Sequence, residues 1–261
     1  MLEPSGLQKS LEKGHISRDF SLVCDIFKRG GVNLNGEIFG RLVMDPNSKD
    51  SLCVLDVGSG TSEAIEQCTR GLMTTAKRVS IDRQIKGIGV DINPVTDVSS
   101  RVLEMGKDVG LGEELVSDIR VGDVGNLPVK DSSVDVLYSS NVLQYVTDTL
   151  RAFEEGWRVL KEGGVAYWDV SERNISAAPG FKKLLEMTPG ASEVFQYIPI
   201  NKTDGFVVCK KIPGATFKGF PFKVAKEIKF RDFEGAWETT PDEVAHHYRN
   251  AVYTAAPDLK L

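Results

Sequence analysis

Short apolar runs bounded by turn residues alternate along this chain with segments whose apolar positions recur at helical spacing. That alternation predicts βαβ units on a parallel sheet. The strand-like runs are Leu52–Val57, Gly87–Asp91, Asp118–Val121, Val134–Ser139 and Val165–Asp169. A helix is expected from about Ser62, with Ile65, Cys68, Thr69 and Leu72 on one face, and another within Asp97–Val109, where Val98, Val102, Met105 and Val109 recur. A third is expected over Thr147–Lys161, where Leu150, Phe153, Trp157 and Leu160 share a face and Gly163-Gly164 provides the stop.

The pattern changes after Ser171. One helix is expected within Asn174–Thr188, followed by antiparallel strands at Phe195–Ile200 and Phe206–Lys211 around the Thr203-Asp204-Gly205 turn, since Asp-Gly favours hairpins. The first 50 or so residues read as one or two helices, and the Phe-, Lys- and Pro-containing tail ends in an expected helix at Pro241–Ala251. The fold class expected is therefore α/β: a doubly wound, mostly parallel seven-stranded sheet with a C-terminal antiparallel hairpin. It carries an N-terminal helical cap (1–50), a core (51–212) and a C-terminal extension packing on that core (213–261). In such a sheet the ligand lies beyond the carboxyl ends of the central strands.

Composition narrows the partners. A length of 261 residues, 41% hydrophobic and 26% charged, suits one soluble α/β domain with additions. A net charge of −5 lacks the basic field of a polyanion binder, so no nucleic-acid partner is expected. No membrane span and no secretory leader is read, which makes a cytoplasmic location the expectation. Cys24, Cys53, Cys68 and Cys209 are scattered, and Cys53 and Cys209 sit in apolar runs as expected buried thiols. His15, His246 and His247 form no ligand grouping, so no protein-bound metal is expected.

The chemistry concentrates at strand ends. Asp56-Val57-Gly58-Ser59-Gly60-Thr61-Ser62-Glu63 follows the first strand, where Gly58 and Gly60 let the backbone turn sharply and meet a ligand closely. A dinucleotide fingerprint would need a third glycine where Glu63 stands, and that carboxylate would lie close to a pyrophosphate. No P-loop lysine follows either. An acid at a strand end beside an open glycine backbone suits instead the ammonium and carboxylate of an amino-acid tail. Asp91 then closes Gly87–Asp91 and Asp123 follows the third strand in Val121-Gly122-Asp123-Val124-Gly125-Asn126-Leu127-Pro128. Asp82, ending Val79-Ser80-Ile81-Asp82, rivals Asp91. One helix and one short strand lead directly from Asp91 to Asp123, which favours Asp91 and implies a long Thr74–Lys86 connection.

These motifs in this order resemble the class I S-adenosylmethionine-dependent methyltransferases, over roughly residues 51–170 and, for the hairpin, 195–211. Asp56, Gly58 and Gly60 match the first three fixed positions of the family's opening motif, and Ser62 replaces its last glycine. The resemblance implies that Asp56, Gly58, Ser59 and Gly60 cradle the methionyl tail. It implies that Asp91 accepts the ribose hydroxyls, with Ile92 beside it, and that Asp123 and the Val124 N–H meet the adenine. Ser139 and Ser140 would stand beside the methionyl end, and Arg158-Val159-Leu160-Lys161-Glu162-Gly163-Gly164 is an architectural helix-to-strand connection. Gln144 stands where many small-molecule members have a histidine, which removes an obvious base. Weak catalytic candidates are Tyr145, His15, His246 and His247, each also suited to packing or surface roles, and Phe20 can close a lid or simply pack.

The expected activity is methyl transfer from S-adenosylmethionine to O or N of a small or medium organic acceptor by in-line displacement, leaving S-adenosylhomocysteine. No N-P-P-[YFW] motif and no Pro-Cys nucleophile follows the fourth strand, which disfavours adenine or amide N-methylation and cytosine-C5 chemistry. Three alternatives remain: a protein acceptor, an aminopropyl transferase, disfavoured by Ser139-Ser140 in place of an acidic pair, and a catalytically silent cofactor-binding subunit.

Overall fold

Among the described residues two helices precede the first strand, α1 (Phe20–Lys28) and α2 (Leu34–Met44), and both begin on side-chain caps. The Asp19 carboxylate accepts the Leu22 N–H at 2.8 Å and the Asn33 side chain accepts the Gly36 N–H at 3.0 Å, each satisfying a donor the first turn leaves unpaired. In this computed structural model, described for residues 19–45, 48–94, 96–143, 146, 148–170, 185–200, 205–227 and 251–255, the chain then builds a seven-stranded sheet.

Its strands are β1 (Leu52–Val57), β2 (Ile85–Asp91), β3 (Asp118–Val121), β4 (Val134–Ser139), β5 (Leu160–Asp169), β6 (Phe195–Pro199) and β7 (Gly205–Lys210). They lie in the order β3-β2-β1-β4-β5-β7-β6, all parallel except β7, which runs antiparallel to both its neighbours, β5 and β6. The order reverses between β1 and β4, so the crevice beyond their carboxyl ends is the natural ligand position.

Every residue of β1 and β4 is buried, as expected for central strands covered on both faces. Alternation splits them cleanly. Leu52, Val54, Val136 and Tyr138 pack under α1, α2 and α3 (Glu63–Arg78), while Cys53, Leu55, Val57 and Leu137 face the layer of α5 (Thr149–Val159). On that second face Phe153 stands edge-on to Trp168, with ring centroids 5.6 Å apart. The 213–220 segment joins the same layer: Phe217 and Phe220 are buried 5.0 and 5.4 Å from Phe195, and Phe217 meets Trp157 edge-on at 5.8 Å. Beyond it β8 (Phe222–Glu227) pairs antiparallel with β9 (Ala251–Ala255).

Two arginine forks hold the crossovers. Arg70 on α3 is fully buried, donating to Glu66 at 2.7 Å and to the carbonyls of Leu103, Met105, Gly112 and Glu114. Glu66 in turn accepts the N–H groups of Val116 and Ser117, so the pair clasps the whole β2–β3 connection against α3. All five guanidinium N–H donors find acceptors. Arg158 on α5 does the same for the segment after β3, as described below.

Four expectations change. The helix expected within Asp97–Val109 is a single turn, α4 (Ser100–Leu103), plus a 3-10 turn at Lys107–Val109, because Gly106 between them takes a left-handed backbone, φ 82°. Helix α5 ends at Val159 rather than running to Lys161. Leu160 is already extended and pairs with Val134, and the Lys161 ammonium is anchored on the Ser51 carbonyl and Asp135. Helix α3 runs on to Arg78, so the connection to β2 spans only 79–84 and Thr74–Lys86 is not a long loop. Ala251 opens a strand rather than ending a helix. The rest of the expected Pro241–Ala251 helix, residues 171–184 and the Thr203-Asp204 half of the hairpin turn lie outside the described residues.

Candidate functional site

The turn after β1 is held against β2 by backbone bonds and by the Asp91 carboxylate. Gly58 and Ser59 N–H groups both point at the Val90 carbonyl, at 2.7 and 3.2 Å. Gly58 has φ 76° and a Cβ there would overlap Val142, so the turn and the loop after β4 meet at a position only glycine fits. Gly60 has φ 52°, and a Cβ there would meet no described atom within 4 Å: its backbone faces open space. Ser62 is buried and adopts φ 65°, so a non-glycine residue occupies the left-handed position that starts α3. Glu63, in the first turn, accepts the Ser99 hydroxyl at 2.6 Å and ties the loop after β2 to that helix start.

Asp91 sits at the carboxyl end of β2 with its carboxylate fixed by two backbone donors. Oδ2 accepts the Gly60 N–H at 3.1 Å and Oδ1 accepts the Asn93 N–H at 2.9 Å. Each oxygen keeps a second lone pair for a further donor. Asp82 is exposed on the 79–84 connection leading into the opposite, amino end of β2. Ile92 projects into solvent and is 70% exposed. One strand further out, Asp123 is exposed and its Oδ1 accepts the Gly125 N–H at 2.6 Å, while Val124 is buried.

On the other side of the turn, Asp56 and Tyr138 face each other across β1 and β4, and both are buried. Burial, followed by the charge of the Asp56 carboxylate, pushes the Tyr138 hydroxyl well above its ordinary pKa, so it stays protonated. Ser139 and Ser140 close β4 and are buried. Asn141 then takes φ 55°, with its N–H on the Asp169 carboxylate at 3.3 Å.

The structure thus brings Asp56, Gly58, Ser59, Gly60, Asp91, Ile92, Asp123, Val124, Ser139 and Ser140 to the carboxyl edge of four adjacent strands, with Asp91 linked directly to Gly60. Tyr145, His15, His246 and His247 lie outside the described residues. Phe20 is buried with its ring 6.0 Å from that of Tyr138, and its N–H rests on Gln67 at 2.6 Å: a core position. Sequence reasoning passed over Glu63, Asn141 and Asp169. Their signals were weak, because an acid in a first helical turn, a turn asparagine and a strand-end acid each have ordinary structural uses.

The donor set suits an amino-acid nucleoside. The Ser59 and Ser139 hydroxyls are buried without a hydrogen-bond partner among the described residues, the first in the glycine turn against Gly89 and the second at the end of β4. A cavity of about 270 Å³ lies at the amino edge between Glu37, Arg41, Tyr167 and Lys210, away from these residues. Cys53, Cys68 and Cys209 are buried, and burial raises every thiol, Cys24 and Cys53 to about 11, so none is a ready thiolate. Among the described residues there is no cluster of three His, Cys, Asp or Glu side chains suited to a metal, and no helix is long and apolar enough to cross a membrane.

Residues 55–168, which carry all of the strand-end motifs but the Asp169 carboxylate, match the methyltransferase domain model. Residues 55–168 form a class I S-adenosylmethionine-dependent methyltransferase domain. The chain is similar to an arsenite methyltransferase of Halobacterium salinarum, 34% identical over 137 residues, covering 52% of this chain and 30% of that protein. It is also similar to a malonyl-[acyl-carrier protein] O-methyltransferase of Yersinia pestis, 26% identical over 156 residues, covering 60% of this chain and 50% of that protein. The chain therefore spans half or less of the length of these curated relatives. A solved arsenic(III) S-adenosylmethionine methyltransferase from Chlamydomonas reinhardtii aligns at 19% identity with a TM-score of 0.43, covering 64% of this chain and 65% of that one.

Proposed function

We propose that this chain transfers a methyl group from S-adenosylmethionine to O or N of a small or medium organic acceptor, releasing S-adenosylhomocysteine. The observation that carries the reading is the Asp91 carboxylate. It is oriented by the Gly60 and Asn93 N–H groups and so aims two lone pairs at the crevice beside the glycine turn, the arrangement a ribose diol needs.

In this reading Asp56 and the Gly58-Ser59-Gly60 backbone hold the methionyl ammonium and carboxylate, and the buried Ser59 and Ser139 hydroxyls gain partners there, with Ser140 alongside. Asp91 holds the ribose with Ile92 covering it, and Asp123 with the Val124 N–H reads the purine. The bound sulfonium supplies an electrophilic methyl group. An acceptor lone pair forms the new bond while the old carbon–sulfur pair stays on sulfur, and the acceptor proton leaves to base or water. The protein's part is alignment and exclusion of water along the attack line. The N-terminal 1–50 cap and the 213–261 extension would frame the acceptor, and any base among His15, Tyr145, His246 and His247 would come from those parts or from the loop after β4.

Titration calorimetry of the whole chain with S-adenosylmethionine and S-adenosylhomocysteine tests the reading. Asp91→Ala should lose roughly 100-fold or more in affinity, since two charge-assisted hydrogen bonds disappear, whereas Asp82→Ala should bind as the parent does. A folded parent that binds neither compound sinks the proposal, and the reverse result for the two aspartates moves the ribose site. A turnover screen across organic O- and N-acceptors then sets the acceptor class.

A further inference from the structure

The Asp123 turn owes its shape to one stripe of helix α5. Arg151, Glu155 and Arg158 lie at helical i, i+4, i+7 spacing, so all three project from one face. Arg151 Nε donates to the Gly125 carbonyl at 3.1 Å, and the Glu155 carboxylate accepts the Leu127 N–H at 2.8 Å. Arg158 donates to the carbonyls of Leu127 and Val129, both at 2.9 Å, to Glu155 at both oxygens, and to Asp131. Other hydrogen bonds along the loop are the short-range Asp123 turn, the Val129–Leu127 contact and the Ser133 hydroxyl on the Lys130 carbonyl. The Gly122 N–H also rests on the Asp91 carbonyl before the turn, the Ser132 and Ser133 N–H groups rest on the Arg158 and Val159 carbonyls, and the Arg120 fork reaches the Pro128 carbonyl. The helix therefore acts as a template on which residues 125–131 are laid.

We propose that Arg151, Glu155 and Arg158 are positioning residues for purine recognition. They touch no ligand themselves. By fixing the chain just after Asp123 and Val124, they fix the angle at which that carboxylate and N–H meet the purine edge. The inference rests on the reading of Asp123 as the purine acid, and it adds where that specificity is set: on a helix behind the loop.

The test uses two probes on the full chain, S-adenosylhomocysteine and S-inosylhomocysteine, which differ by an exocyclic amine against a carbonyl. Calorimetry gives an affinity ratio for each variant. The parent should prefer the adenine compound by tenfold or more, because a carboxylate facing the inosine carbonyl is repelled. Arg158→Gln should cut S-adenosylhomocysteine affinity about tenfold and leave S-inosylhomocysteine little changed, so that the ratio collapses toward one. Glu155→Gln keeps an acceptor for the Leu127 N–H and should shift the ratio in the same direction by less; it carries the test if Arg158→Gln does not fold. Arg78→Gln, which breaks an exposed pair with Asp108 on another connection, should leave the ratio unchanged. A purely structural role would weaken both probes equally or neither, and either result in a folded variant overturns the proposal. A parent that binds S-adenosylhomocysteine without preferring it overturns the purine reading of Asp123, and with it this inference. A parent that binds neither probe overturns the methyltransferase reading itself.

Discussion

The Glu66–Arg70 pair on α3 and the Glu155–Arg158 pair on α5 do the same job on two connections that flank the site. Each arginine spends all five donors on its own glutamate and on carbonyls of a neighbouring connection, with one further carboxylate, Asp131, on Arg158. They differ in depth: the Arg70 side chain is 0% exposed and that of Arg158 is 31% exposed. Depth decides what each fork is for. A fully buried ion pair is balanced against a large desolvation cost, and its partners cannot turn to water if it breaks. Where only the arginine reaches solvent, as at Arg158 over the buried Glu155, water can replace part of the fork, so it shapes a loop more than it holds the fold.

The sharpest way to break the comparison is Arg70→Ala. It strands a buried carboxylate and four carbonyls, and it should cost roughly 3–5 kcal/mol in a urea or thermal midpoint; a loss near that of a surface substitution would erase the distinction. Arg158→Gln should cost less, about 1–2 kcal/mol, because water reaches the freed carbonyls.

Acidity separates the forks further. Burial alone would raise the Glu155 carboxyl, but hydrogen bonds from Arg158 and the Leu127 N–H, with the nearby arginine charges, hold it below its ordinary 4.5. A depressed folded-state pKa contributes stability that is present above the unfolded value and is lost as pH falls through the folded one. The stability gap between parent and Glu155→Gln should therefore be full at pH 6–7 and shrink as pH drops below about 4.5. Melting curves across that range would show it, and a gap independent of pH would count against the ionised pair.

The smallest expected effect lies at the start of α3. Ser62 carries a left-handed backbone that costs an L-residue roughly 1–2 kcal/mol, while glycine loses about 0.5–1 in chain entropy. Ser62→Gly should stabilise the fold by at most about 1.5 kcal/mol. A loss of stability would mean that the serine side chain contributes more than its backbone costs.

Much of this was legible in the sequence. Leu52–Val57 and Val134–Ser139 are strands with the bounds that their apolar runs suggest, because central parallel strands are buried on both faces and cannot hide, and the edge strand Asp118–Val121 keeps its expected bounds as well. The strand-end acids and glycines read as a site because they recur in order. What failed were boundaries set by single backbone events: the left-handed Gly106 that cuts a helix short, and the early extension at Leu160 that begins β5 before the Gly163-Gly164 pair. The two forks were illegible for another reason. Glu66–Arg70 looks like any solvated i,i+4 pair, and nothing local says that the β2–β3 connection will close over it. Arg158 opens a stretch read as mere architecture and Glu155 lies in the helix before it, while their loop partners are about thirty residues away.

The aromatic layer on α5 also gives the molecule two separate optical reporters. Trp168 is fully buried in β5 against Phe153, whereas Trp157 is half-buried between Phe217 and the Lys211 ammonium, 5.4 Å from its ring. With Trp237 replaced by phenylalanine, emission from the first would follow loss of the sheet core, and emission from the second would follow release of the 213–220 segment. A strand and the helix that covers it thus carry the signals that distinguish a detached tail from an unfolded domain.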